Sequence, residues 1–375
     1  MVTDEDNARL TSIPLDFEIR EAVFNLKTDS APKPDGFTNA LFQTYWDVIH
    51  LDVCGLVKSF FSTCTLPHGI NAQFLTLIPK VENASEIHIF RPISLINTSY
   101  KIITKLLANR LSIIANKIIS WNQFGFMKGR TIQDCISTAS ECLNLLNKTS
   151  MGGCISLKLD IRKAFDTMDW GFIFKLLHCF GFNDTFVSWV KDLFESSHFF
   201  VLINGSSKGF FTCSKGVRKG DPLSAILFSL AEYYLSRLLT HMMDQGTKRN
   251  MQNLKRAFTQ YVEVSGQAIN WNKSYIYFGN SIPPSRRSQL LMDLGIREGS
   301  LLIQYLGVPL FLGRPKASYF LNIVDKIKKQ FSLWKDAGFS INIGRALHIY
   351  YFHVLQLQRY GMHCRIFLRS SFLLV

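Results

Sequence analysis

The sequence predicts an α+β fold, because short strands and amphipathic helices follow one another without a regular alternation. Short apolar runs at 73–79, 155–160 and 274–278 indicate strands. Apolar residues spaced three and four apart over 94–118 and 222–244 indicate long helices. With 375 residues, of which 47% are hydrophobic, the chain is long enough and apolar enough to bury a large core.

The first part of the chain is predicted to be mainly helical. Residues 1–30 contain a polar lead and then a short amphipathic helix. Pro32, Pro34 and Gly36 indicate a loop, and helical spacing returns over 37–65.

The middle of the chain mixes both element types. The strand at 155–160 ends on an acid and precedes helices at 168–181 and 185–197. The segments 199–205 and 210–217 are predicted to form a hairpin, with a turn over residues 205–208 between them.

Helix signals then continue towards the end of the chain. Asp221 is a good N-cap and Pro222 a good first helical residue, so they predict the start of the helix that runs to about Asp244. Further helices are predicted at 248–265 and 317–335.

Charge and cysteine content limit the classes of function. The formal net charge is +14 and the pI is about 9.4, which favours a polyanionic partner such as nucleic acid. The eight cysteines include no CxxC pair, so neither a zinc site nor a disulfide framework is indicated. The acidic, polar start and the lack of a long apolar run predict no membrane partner and an intracellular location, in cytoplasm or nucleus.

Asp160 is the first candidate for chemistry. It stands at the end of the predicted strand 155–160, and Asp166 follows six residues later. A carboxylate there, assisted by the backbone carbonyl of Ile161, could bind a divalent cation such as Mg²⁺. An aspartate at a strand end can equally cap the next helix, so this segment alone leaves both interpretations open.

Nine segments, which follow one another in a fixed order along the chain, together resemble a known family. They are 33–37 (KPDGF), 77–80 (LIPK), 90–111, 123–136, 159–166 (LDIRKAFD), 216–230, 246–258, 265–274 and 305–310 (YLGVPL). Together they resemble the reverse transcriptase domain of LINE-type (non-LTR) retrotransposons, in a plant-like style, over roughly 20–340.

The resemblance implies a right-hand polymerase fold with a fingers-like region at 1–150, a palm-like region at 151–280 and a partial thumb with an aberrant tail at 281–375. It implies DNA synthesis on an RNA template from a DNA primer and dNTPs, with Mg²⁺ as cofactor.

The resemblance also assigns roles to residues near the predicted palm. Asp160 matches the first metal-binding aspartate, with the Ile161 carbonyl beside it, and Phe165 matches the aromatic that lies against the sugar. Lys80 and Arg91 match the cations that meet the incoming triphosphate.

The remaining assigned residues lie further along the chain. Gly220 matches the glycine that lets the backbone approach the nucleotide, and Lys273 matches an acid towards the departing pyrophosphate. Tyr305, Leu306 and Gly307 match the turn that holds the primer end. Taken singly, each of these residues also has an ordinary interpretation as a surface charge, a turn residue or a loop lysine.

The sequence departs from the family at its second catalytic signature. The hairpin with the aromatic-Ala-Asp-Asp tetrad should follow the helix at 222–244, but no Asp-Asp dipeptide occurs in the chain, which indicates an internal deletion near residue 245. The strand 155–160 would lose neighbours, unless strands 199–204 and 274–278 close the gap. Smaller departures are Lys219, Ala225 and Tyr233.

One carboxylate cannot hold two Mg²⁺ ions in a fixed arrangement, so we expect a reverse transcriptase by descent that is inactive or nearly so. The alternative is a non-catalytic, basic nucleic-acid-binding remnant. A helical scaffold with incidental charge is a third reading, against which the ordered motifs argue.

Overall fold

The computed structural model of the chain describes residues 1–148, 153–244, 250–300, 302–313, 316–336, 367–369 and 371–374. Helices and strands follow one another irregularly, which confirms the predicted α+β class. The helices are α1 (Asp4–Thr11), α2 (Asp16–Phe24), α3 (Asn39–Thr44), α4 (Trp46–Thr63), α5 (Thr98–Ile118), α6 (Ile132–Leu145), α7 (Ala164–Thr167), α8 (Trp170–Phe180), α9 (Asp184–Glu195), α10 (Pro222–Asp244), α11 (Asn250–Ser265), α12 (Pro284–Leu294) and α13 (Leu321–Asp336).

The strands are β1 (Ala72–Pro79), β2 (Phe90–Ile96), β3 (Ile155–Arg162), β4 (His198–Ile203), β5 (Ser206–Phe211), β6 (Ala268–Ile269), β7 (Tyr275–Phe278), β8 (Arg297–Glu298), β9 (Ile303–Tyr305), β10 (Val308–Leu310), β11 (Phe367–Arg369) and β12 (Ser371–Leu374). Short 3-10 helices lie at Ile87–Ile89, Trp271–Lys273 and Ala317–Phe320.

Local capping chemistry explains where several helices begin. The predicted N-cap of α10 is confirmed, because Asp221 Oδ2 accepts hydrogen bonds from the backbone N–H of Ser224, at 3.0 Å, and from its hydroxyl, at 2.6 Å. Asp169 caps α8 in the same manner by accepting the N–H of Phe172. A short polar side chain thus satisfies N–H groups that the first helical turn leaves without partners.

The first sheet contains the strand order β2-β1-β4-β5. A hairpin is present as β4–β5, but its turn is Asn204–Gly205 rather than residues 205–208, and its second strand is Ser206–Phe211 rather than 210–217. Both turn residues have positive φ, +49° and +77°, as the two-residue type I′ turn requires. β4 also pairs in parallel with β1, so this sheet joins strands from the predicted 1–150 and 151–280 regions.

The second sheet is built around β3. β7 pairs with one edge of β3, as predicted for the strand at 274–278, and β6 extends that side. The strand at 199–204 does not help to close the gap beside β3, because β4 lies in the first sheet. β12 occupies the other edge, with Ser371 opposite Asp160 and Leu374 opposite Leu157.

Two groups of buried residues form the hydrophobic core. The larger group includes the buried apolar residues of α5, α8, α9 and α10 together with Leu157, Leu159 and Ile161 of β3. The smaller group lies between α6 and the β9–β10 hairpin and includes Tyr277 and Tyr305. Among the helices of the described residues, none is long and apolar enough to cross a membrane.

Candidate active site

Asp160 lies near the end of β3 and is half-buried. Its carboxylate Oδ2 accepts a hydrogen bond of 3.0 Å from the side-chain amide of Asn270. Its backbone is held as well, because the N–H of Asp160 donates to Ser274 Oγ at 3.0 Å and the N–H of Asn270 donates to the Asp160 carbonyl at 2.7 Å. The segment between β6 and β7 therefore fixes the position of this carboxylate.

Burial and the groups around Asp160 shift its pKa in opposite directions. Burial raises the pKa of Asp160, while the Asn270 hydrogen bond and the positive charges of Lys273 and Lys158 lower it by less. The net direction is upward, so the cations near this carboxylate do not fully offset its removal from water.

In the part of the chain that the structure describes, the acidic side chains do not fit a two-magnesium site. Among the residues that the structure describes, no group of three or more His, Cys, Asp or Glu side chains could hold a metal ion. Asp166, the next acid after Asp160, pairs with Lys219 at 2.5 Å. The Ile161 backbone lies opposite Ile269 of β6. The predicted deletion near residue 245 falls at 245–249, outside the described residues.

Phe165 belongs to a cluster of three aromatic rings. Its ring stacks on Phe228 of α10, with centroids 4.5 Å apart and planes 18° apart, and meets the edge of Phe126 at 5.8 Å. Its carbonyl accepts a 2.7 Å hydrogen bond from the N–H of Val217. This hydrogen bond joins the segment before α10 to the short helix α7, which contains Phe165.

Two glycines before α10 make close backbone approaches. Gly216 has φ +91°, and a Cβ there would lie 2.9 Å from the Asp166 carbonyl oxygen. Gly220 has φ +108°, and a Cβ there would lie 3.3 Å from the carbonyl oxygen of Ser94 in β2. Gly220 thus lies against the first sheet.

Lys80 and Arg91 are exposed residues of the first sheet rather than the sheet that carries Asp160. Lys80 follows β1, and its Nζ donates to the His88 carbonyl at 2.8 Å. Arg91 lies on β2 opposite Ile78. The two cations therefore share one region of this sheet.

The other predicted residues lie around β3. Lys273 ends the short helix Trp271–Lys273, and its charge acts on Asp160. Leu306 and Gly307 form the β9–β10 turn, with φ +52° and +85°. The preceding Tyr305 is buried, with its hydroxyl 3.3 Å from Cys135 Sγ.

One further contact holds the β9–β10 hairpin beside the site. Lys158 Nζ donates to the Gln304 carbonyl at 2.9 Å and so links β9 to β3. The structure thus brings Asp160, Ile161 and Lys273 to one sheet, and the Lys158 hydrogen bond links the separate β9–β10 pair, which carries the 305–307 turn, to that sheet.

The sequence did not single out Asn270, Ser274 or the ion pair between Lys219 and Asp166. Asn270 and Ser274 do lie inside the segment 265–274 that carried part of the resemblance. Lys219 had been noticed only as a departure from the family pattern. An amide and a hydroxyl give no distinctive spacing, so their role becomes visible only when β6 and β7 are placed beside β3.

Comparison with known proteins agrees with the predicted resemblance. A family model described as reverse transcriptase (RNA-dependent DNA polymerase) matches residues 78–310. The chain is 29% identical to a Xenopus laevis protein named transposon TX1 uncharacterized 149 kDa protein, over 93% of this chain and 28% of that protein.

Two Drosophila proteins are also similar. The retrovirus-related Pol polyprotein from type-2 retrotransposable element R2DM of Drosophila melanogaster is 32% identical over 56% of this chain and 19% of its own length. The RNA-directed DNA polymerase from mobile element jockey of Drosophila funebris is 25% identical over 57% of this chain and 23% of its own length. The chain thus spans less than a third of the length of these relatives.

Proposed function

Because the chain belongs to the reverse transcriptase (RNA-dependent DNA polymerase) family, we propose that it is the reverse transcriptase domain of a non-LTR, LINE-type retroelement. The observation that carries this proposal is the ordered series of motifs, most of which fall inside the matched residues 78–310. The relatives named as transposon and retrotransposable-element proteins support the same assignment.

The proposed architecture is a right-hand polymerase. The sheet around β3, with Asp160 near the end of that strand, would be the palm-like part. The sheet that carries Lys80 and Arg91 would be the fingers-like part. The β4–β5 hairpin would belong with the fingers-like part, although it lies within residues 151–280, because it pairs with β1. Residues 281–375 would supply the partial thumb and tail.

The proposed substrates are an RNA template, a DNA primer and dNTPs. In the family reaction, Mg²⁺ neutralises the charge that develops on the transferred phosphoryl group. In this chain Asp160 is the acidic residue that we assign as a Mg²⁺ ligand, and no Asp-Asp dipeptide occurs in the sequence. We therefore propose that this chain is a polymerase by descent that does not extend primers.

We also propose an intracellular location without a membrane partner.

Primer extension tests the proposal directly. The purified chain is incubated with an RNA template, an annealed DNA primer, dNTPs and Mg²⁺, beside an Asp160→Ala variant prepared identically. We expect no extension product from either protein. Magnesium-dependent extension by the chain that disappears in Asp160→Ala would contradict the proposed inactivity, whereas equal extension by both would identify a contaminating polymerase.

A further inference from the structure

Four aromatic side chains form a continuous row across the first sheet, which we call the aromatic row. It consists of Phe74 on β1, His198 and Phe200 on β4, and Phe210 on β5. The ring centroids of Phe74 and Phe200 are 6.3 Å apart, and those of Phe200 and Phe210 are 5.1 Å apart. The His198 ring stacks on Phe210 at 4.8 Å with planes 12° apart.

The strand register places these rings on one face of the sheet. Phe74 lies directly opposite Phe200, and side chains of paired residues point to the same face. An irregularity in the β4–β5 pairing turns Phe210 towards this face. The next residue, Phe211, lies opposite Phe199 on the other face, where the two rings stack at 5.7 Å.

The aromatic row is accessible rather than enclosed in a core. Phe210 is 62% exposed, and the other three side chains are half-buried. Large aromatic side chains are normally buried or held at interfaces. A connected set of four partly exposed rings is therefore a surface that suits a partner with flat apolar faces.

The charge around the aromatic row favours an anionic partner. Arg91 lies opposite Ile78, which shares the face of Phe74 because the two are four residues apart on β1. Lys80 continues the same alternation, and its backbone N–H still pairs with the Ile89 carbonyl at 3.0 Å. None of the four strands of this sheet contains Asp or Glu.

We propose that the aromatic row is a stacking surface for unpaired bases of a single-stranded nucleic acid, with Lys80 and Arg91 holding its phosphates. Proteins that bind single-stranded nucleic acids without sequence specificity stack the bases on aromatic side chains beside a cationic groove. The proposal takes its class of partner from the proposed function. It requires no metal site, so the chain would keep this binding without extending primers.

The decisive comparison uses two adjacent phenylalanines on opposite faces. Phe210→Leu keeps apolar bulk but removes the aromatic face of the row, and Phe211→Leu makes the same change on the other side of the same strand. Binding of the full chain to an unstructured fluorescein-labelled RNA oligonucleotide is measured by anisotropy. We expect Phe210→Leu to weaken binding about tenfold and Phe211→Leu to change it less than about twofold.

The contribution of the bases is separated from that of the phosphates by the ligand and by salt. An oligonucleotide with abasic positions should bind Phe210→Leu and the unchanged chain equally. Phe210→Leu should keep the slope of log affinity against log salt, whereas replacing Lys80 and Arg91 by Ala should reduce that slope by about one to two. The same series with single-stranded DNA shows whether the row distinguishes the two nucleic acids.

A tryptophan variant protects the test against misfolding. Phe210→Trp should keep the affinity, and its added fluorescence should be quenched when RNA binds, while that of Phe211→Trp should not. Equal loss of affinity in both leucine variants, unchanged binding by Phe210→Leu, or no difference in quenching would each overturn the proposal. Since none of these readouts needs extension, their outcome is distinguishable from failure of the proposed function.

Discussion

The carboxyl group of Glu232 lies in the core between α10 and α11. Its side chain is fully buried, with Oε1 3.4 Å from the hydroxyl of Tyr261. Its Oε2 has no hydrogen-bond partner among the residues that the structure describes. Burial raises the pKa of Glu232 to about 8, and the Tyr261 hydrogen bond offsets this only in part. The folded protein therefore holds this group in its neutral form at neutral pH.

Glu232 should make the stability of the protein depend on pH. The folded pKa lies above the unfolded value, so the free energy of unfolding is unaffected below about pH 4 and falls as pH rises towards about 8. The glutamine side chain of the Glu232→Gln variant cannot ionise, so the variant should lack this decrease in unfolding free energy. We expect the decrease in the unchanged chain to be on the order of a few kcal/mol.

Urea denaturation of both proteins at pH 5 and pH 8 measures the effect. The difference in unfolding free energy between the two pH values should be smaller in Glu232→Gln. An equal pH dependence in the two proteins would mean that Glu232 is ionised in the folded state.

Gly216 should tolerate no side chain. A Cβ there meets the Asp166 carbonyl oxygen at 2.9 Å with φ +91°, so Gly216→Ala combines backbone strain with a clash. We expect it to lower the free energy of unfolding by about 2–4 kcal/mol, measured by chemical denaturation. Gly36→Ala is the matched control, because Gly36 also has positive φ, +79°, but nothing lies within 4 Å of its Cβ position. Equal losses in the two variants would show that the contact with Asp166 adds nothing.

At the scale of single residues, the sequence predicted contacts that depend on a few neighbouring positions. Asp221 was predicted to cap α10 from the Asp-Pro pair alone, and it does so. The hydrogen bond between Asn270 and Asp160 joins residues 110 positions apart, and no local pattern indicates it. The roles assigned to Lys273 and Phe165 stay predictions.

At the scale of elements, the sequence predicted β1, β3, β4 and β7 and most of the longer helices. It missed β2, β6 and β8–β12, and it did not predict how the strands pair. The apolar run at 73–79 predicted β1, yet its parallel pairing with β4 depends on packing between distant parts of the chain. The predicted turn over 205–208 is misplaced because it leaves Asn204 in the first strand and so divides the Asn204–Gly205 pair, which is a strong type I′ signal.

The strand pair β11–β12 should protect the edge of β3. β12 pairs with β3 from Leu157 to Asp160, on the side opposite β7. Removing residues 367–375 should leave backbone groups of β3 without partners, since an open sheet edge exchanges amide hydrogens and aggregates more readily. Hydrogen exchange of the peptide that covers 155–162 should become faster in the truncated chain.

A synthetic peptide of residues 367–375 supplies the control for that truncation. Adding it to the truncated chain should restore slow exchange in β3, and a scrambled peptide of the same composition should not. Unchanged exchange after truncation would show that β12 does not protect β3.

At the scale of the whole molecule, the sequence predicted the α+β class and the family, because ordered motifs spread over the chain carry both. It could not predict how β3 is completed, since the resemblance ends at about residue 340, before the segment 371–374. The arrangement fits a polymerase in which Asp160 is positioned and hydrogen-bonded while the acids needed for two metal ions are not assembled among the described residues.

The most direct test of the proposed inactivity is to restore the hairpin that the resemblance requires and to measure primer extension. A hairpin with the aromatic-Ala-Asp-Asp tetrad is inserted between Asp244 and Asn250, and primer extension on RNA with Mg²⁺ is compared with that of the unchanged chain. We expect extension only from the restored protein, and its loss when Asp160→Ala is added. Extension by the unchanged chain that requires Asp160 would contradict the account, because it would mean that acids already present complete the metal site.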